Sequence, residues 1–140
     1  MYAILQAGHS WWAALTILSL FVAVTNSVFG MNSKREFSVR DRKISLFAMT
    51  FAHLQLIFGL VLYFISPIGF SALGQMSSAI LRLTSLEHPL VGILAITLIT
   101  IGWSKHKKTD NDARKFKQIA IFYGAGLILI LSRIPWSLWF

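Results

Sequence analysis

The chain has no cysteine. That excludes disulfides, thiolate metal ligands and covalent c-type haem attachment. Charge is scarce: 13% of the residues, against about 25% in an ordinary soluble domain. Acids are scarcer still, five against thirteen Lys and Arg, so the net charge is +8. Proline appears three times. No GxSxG, HExxH, P-loop or Rossmann pattern occurs, so the expected class is an electron-transfer protein or a subunit rather than a stand-alone enzyme. The amino terminus has no basic n-region and its apolar run is too long for an h-region, so no cleavable leader is expected.

What remains is apolar. Hydrophobic residues make up 56% of the chain and mean hydropathy is +0.66. Four apolar runs stand out, at about 2–30, 44–65, 86–103 and 119–136. The run Ile44 to Ile65 has no formal charge, and at about 1.5 Å per residue it crosses a ~30 Å hydrocarbon core. The 140 residues therefore read as a single all-α domain, an integral membrane up-down four-helix bundle in a lipid bilayer. Eleven of the thirteen basic residues fall in the two loops after the first and third runs. The loop Ser66–Ser85 carries only Arg82. This positive-inside bias places both termini on the non-cytoplasmic side of a bacterial cytoplasmic (inner) membrane. It also accounts for the basic balance without nucleic acid.

Polar residues inside apolar runs carry the functional signal. From His9 the residues at +4, +7, +11 and +14 are Ala13, Thr16, Leu20 and Ala23; from His88 they are Gly92, Ala95, Ile99 and Gly102. Each set lies on one helix face. Small residues on such a face allow close helix packing, or clear space beside an imidazole for a flat ligand. Counted from the basic loops at about 1.5 Å per residue, His88 and Arg133 lie roughly 25 Å up and His9 about 25–31 Å, one layer in the outer leaflet. Two neutral imidazoles on diagonal helices suit bis-histidine ligation of haem iron, with Arg133 or Arg82 pairing with propionates. Trp11, Trp12 and Trp136 either pack on such a macrocycle or form an interfacial belt.

His53 lies roughly 15 Å up, nearer the middle. It reads as a structural histidine, an alternative iron ligand, or a proton or quinone contact. Gln55 shares a packing stripe with Ser45, Ala48, Ala52 and Gly59, about 160° around the helix from His53. Glu87 reads as a solvated end charge, a partner of His88 or a proton relay. His106, among lysines, reads as solvated. Ala13, Gly59, Gly92 and Gly124 are expected at helix contacts.

HSWW at His9, DRKISLFAMTFAHLQLIFGLVLYFISP from Asp41, LEHPLVGILAITLITIG from Leu86 and AIFYGAGLILILSRIPW from Ala120 resemble the small four-helix bacterial membrane proteins labelled cytochrome b-like. More distantly, the order His, Gln-x-x-x-Gly from Gln55 to Gly59, then His resembles one half of haem A synthase. That resemblance implies His9 and His88 as haem ligands. The chain has only one such half and lacks that enzyme's cysteine pair, which argues against haem A synthesis itself. The expected function is a haem b-binding membrane electron carrier exchanging with quinone or a respiratory complex. The alternative is a non-catalytic accessory subunit or assembly factor of such a complex.

Overall fold

The computed structural model describes residues 1–139. Four long helices account for most of them: α1 (Tyr2–Asn32), α2 (Val39–Ile65), α3 (Ala79–His106) and α4 (Asp112–Ser132). All four are long and apolar enough to cross a membrane. No strand occurs among the described residues. Each of α1 and α3 packs mainly against α2 and α4, so α1 and α3 are diagonal partners.

The helices overrun the apolar runs at the basic end, because local capping, rather than hydropathy, sets where a helix starts. α2 begins five residues before Ile44, at a capping box: the Ser38 hydroxyl accepts from the Asp41 N–H and the Asp41 carboxylate accepts from the Ser38 N–H. α4 begins at Asp112, where the Asn111 side chain accepts from the Arg114 N–H. Its other end differs from the expected 136. α4 stops at Ser132, because Pro135 lacks an N–H and drives Ile134 out of the α region. Arg133 is thus the cap and Trp136 lies in a separate 3-10 turn, Trp136–Leu138.

α3 starts at Ala79, seven residues before the expected boundary. Its first turn, Ala79–Arg82, is followed by a π-helical turn, Leu83–Glu87, and α-helix resumes at His88. Tyr63 of α2 anchors that turn by donating to the Ser85 carbonyl at 2.9 Å. The loop before it holds only a 3-10 turn, Phe70–Ala72, and no longer amphipathic segment.

Small residues face inward. Thr16, Leu20 and Ala23 on α1, and Ala95, Ile99 and Gly102 on α3, are buried as their spacing requires. Ala48 and Ala52 do the same on α2, and Gly126 on α4. A Cβ on Gly126 would lie 2.8 Å from Ile99 Cγ1 and 3.0 Å from the Ala95 carbonyl oxygen. Large side chains such as Phe21, Ile57, Phe64 and Ile128 point outward. This is the inverse of a soluble bundle and suits a lipid surround, where close backbone approach replaces the hydrophobic drive. The Tyr123 hydroxyl, fully buried, donates to the Ser45 carbonyl at 2.8 Å and ties α4 to α2. A cavity lies at the end of the bundle where both termini lie, lined by residues of all four helices.

Candidate functional site

The cavity sits between the four helices and the 135–139 segment, and encloses about 190 Å3. Its walls are mostly apolar, with His9, Gln55 and His88 among the few polar groups. His9 and His88 come from the diagonal helices and face each other across it. Their ring centroids are 6.2 Å apart and their planes stand at 87°.

Each imidazole has its own support. The π-helical turn and Pro89 set the start of the regular helix at His88. There His88 Nδ1 lies 2.9 Å from the Arg133 carbonyl oxygen. A carbonyl only accepts, so Nδ1 carries the hydrogen. Neutral His88 then presents a bare lone pair at Nε2, which has no hydrogen-bond partner among the described residues. A donor at one ring nitrogen and a free lone pair at the other is the state of a metal-ligating histidine.

His9 rests against α2. The Gln55 amide nitrogen donates to the His9 carbonyl at 3.1 Å and lies 3.1 and 3.2 Å from the two ring nitrogens. An atom so nearly equidistant from both lies over the ring face, not in its plane, so the in-plane positions of both nitrogens point elsewhere. Four residues on, Gly59 lets the ring approach: a Cβ there would be 3.1 Å from His9 Cε1. The Gln55 carbonyl oxygen is buried with no partner. A buried acceptor left open beside a cavity calls for something to fill it.

Arg82 and Arg133 meet at Glu87, next to His88. Arg82 Nε lies 3.0 Å from one carboxylate oxygen and Arg133 Nε 3.3 Å from the other. Arg82 also donates to the Met76 carbonyl. The two guanidinium groups therefore share one carboxylate beside His88, and none of the three lines the cavity; this role for Glu87 is signalled in the sequence only by its adjacency to His88. Gly92, expected at a helix contact, instead lines the cavity, with nothing within 4 Å of its Cβ position.

His53 is not brought to the pair. Its Nδ1 donates to the Met49 carbonyl at 2.8 Å and its Nε2 lies 3.2 Å from Thr100 Oγ1, in the seam between α2 and α3. Trp12 packs on Phe51 and Phe58 and donates to the Phe51 carbonyl. Trp11 and Trp136 are exposed and do not line the cavity.

Nowhere among the described residues do three His, Asp or Glu side chains converge to hold a metal by themselves. A macrocycle that brings its own four nitrogens needs only two axial ligands. His9 and His88 would be the two side chains to hold such a group; their 6.2 Å separation with near-perpendicular planes is that of an edge-to-face ring contact. The enclosed volume is below the roughly 300–1,000 Å3 of ordinary cofactor sites, so a macrocycle has to widen the cavity at its mouth. No protein-family model, no curated protein and no solved structure matches this chain.

Proposed function

We propose that the protein is a membrane electron carrier that holds one non-covalent haem b between His9 and His88. The observation that carries this reading is the facing pair at 6.2 Å, with His88 locked by the Arg133 carbonyl in the tautomer that leaves Nε2 free. Haem b, when bound, supplies a one-electron couple whose potential depends on axial ligands, burial and nearby charge. The chain's own part is binding and orientation. The Arg133 carbonyl aims His88, Gln55 and Gly59 seat His9, and the apolar walls exclude water. Arg82 and Arg133 supply positive charge beside His88, where carboxylate groups of a ligand would pair with them in place of Glu87.

The concentration of basic residues at the opposite end supports an orientation with the histidine pair in the outer leaflet of a bacterial cytoplasmic membrane. Electron exchange is then with quinone or a respiratory partner near that face. A second reading has its own observation: His88 Nδ1 already has a protein partner and Gln55 already covers His9. On that reading the pair is structural and the chain is an accessory subunit. Purification after expression with ample haem separates the two. The first expects the sharp visible bands of six-coordinate low-spin haem on reduction; colourless protein overturns it in favour of the second.

A further inference from the structure

The basic end of the bundle holds a second arrangement, independent of the cavity. His106, the last residue of α3, is 2% exposed, not solvated as its lysine-rich surroundings suggest. Its ring packs on Trp103 at 4.5 Å and on Phe37, from the α1–α2 connection, at 5.5 Å. Its Nδ1 donates to the Trp103 carbonyl, which leaves Nε2 without a partner among the described residues.

Three cations from three elements converge on this aromatic cluster. Arg42, at the start of α2, lies over the Trp103 ring at 5.8 Å. Lys107, just past α3, lies over the same ring at 5.5 Å. Lys115, in the first turn of α4, lies over Phe37 at 5.6 Å. The charge of the three is uncompensated. The one carboxylate buried nearby, Asp41, is engaged by Arg35, and among the described residues no acid pairs with Arg42, Lys107 or Lys115. Positive charge at a membrane boundary needs no site to explain it. Three unpaired cations set on the two rings that close over one buried histidine is more specific than that bias. Each is held by an aromatic face and none is neutralised by an acid, so an anion bound there would be favoured.

We propose that Arg42, Lys107 and Lys115 form a binding site for a phosphate group, with the His106 Nε2–H of the imidazolium as a fourth donor. The bare Nε2 of neutral His106 would face the anion with a lone pair, so occupancy and proton uptake go together: an anion among these cations offsets their repulsion of the imidazolium. The phosphate belongs to the headgroup of an anionic phospholipid or to a soluble phosphate. Protonation of His106 adds a donor and a positive charge to the site, so binding strengthens as pH falls; the acids on the elements packed here are Asp41, paired with Arg35, and Glu36, Asp110 and Asp112, none in an ion pair with the three cations.

The test uses the full chain in neutral detergent. Native mass spectrometry should show phosphatidylglycerol retained at least tenfold over phosphatidylcholine. The triple variant Arg42→Gln/Lys107→Gln/Lys115→Gln should lose that preference. Arg40→Gln/Lys108→Gln/Lys117→Gln, which removes as much charge from the same end, should keep it. Lys107→Glu alone, at an exposed position, should abolish it without disturbing the fold. His106→Gln should flatten its pH dependence. Inorganic phosphate that competes with the lipid assigns the site to a soluble phosphate; failure to compete assigns it to the headgroup. Equal retention by the two triple variants, or no preference over phosphatidylcholine in the wild type, overturns the proposal. The result is independent of haem.

Discussion

The His9 and His88 rings face each other at 6.2 Å, yet each is oriented by a different neighbour. His88 is held by the Arg133 carbonyl at the end of α4, His9 by Gln55 and Gly59 of α2. The pair is thus assembled from all four helices, and each ligand is separately removable. His9→Ala and His88→Ala should each abolish or severely weaken the haem bands in reduced protein. His53→Ala should leave them, because its partners are Met49 and Thr100 in another seam. His106→Ala, at the opposite end, should also leave them. Loss of the bands in His53→Ala with their survival in His9→Ala would move the iron to the α2–α3 side and refute the assigned pair.

Two glycines, Gly126 at a tight helix contact and Gly92 on the cavity wall, should respond differently. Gly126 has Ile99 and the Ala95 carbonyl within 3.0 Å of its Cβ position; Gly92 has open space. Gly126→Ala should cost about 1–3 kcal/mol, the usual penalty of overpacking. Gly92→Ala should be close to neutral in stability. Thermal unfolding in detergent of the haem-free protein compares them. A Gly92→Ala variant as destabilised as Gly126→Ala would mean that the cavity wall collapses there.

Asp41 is 1% exposed and receives two hydrogen bonds from Arg35, at 2.6 and 2.7 Å, one from Asn26 at 2.8 Å, and those of the Ser38 cap. Its carboxylate raises the Arg35 guanidinium still further above its ordinary range. Asp41→Asn keeps the shape but weakens the charge-assisted bonds, and should cost about 1–3 kcal/mol. Arg35 is 40% exposed, and solvent screening holds the figure down. Asn26→Ala should cost less, since it removes one bond of the set. An Asp41→Asn melting temperature equal to the wild type's would show that the network adds nothing to stability.

Much of the bundle was legible because helical period translates directly into facing. The stripes starting at His9 and His88 name the buried residues, and their diagonal relation follows from short up-down connections. Helix ends were less legible. Hydropathy reports where lipid begins, whereas Ser38, Asn111 and Pro135 decide where the helix does. The π-helical turn before His88 leaves no compositional mark, because it depends on how Tyr63 meets Ser85. The Gln55 stripe was visible, but a helical face does not say which neighbour occupies it, so its contact with His9 read as packing. His106 shows the converse error. Lysines on either side suggested water, but Phe37, distant in sequence, and Trp103, one turn back on the same helix, close over the ring.

Orientation in the membrane rests on charge alone and has a direct check. Eleven basic residues in the two loops at one end, against Arg82 and Arg133 at the other, predict that the loop ends around Lys34 and Asn111 face the cytoplasm. Translocating either loop would carry five or six cations across the bilayer against the resting potential, at roughly 2.3 kcal/mol per charge per 100 mV. The chain has no native cysteine, so a single introduced one is the only thiol to be labelled. Asn111 is exposed in the turn between α3 and α4; Asn111→Cys gives up the α4 cap, a loss of about 1 kcal/mol, and should still fold. In intact cells an impermeant maleimide should leave it unmodified until the membrane is opened. Gly74→Cys, exposed in the loop between α2 and α3 with nothing within 4 Å of its Cβ position, should react from outside. The reverse pattern would place the histidine pair in the inner leaflet, and any electron partner would have to be sought on the cytoplasmic face.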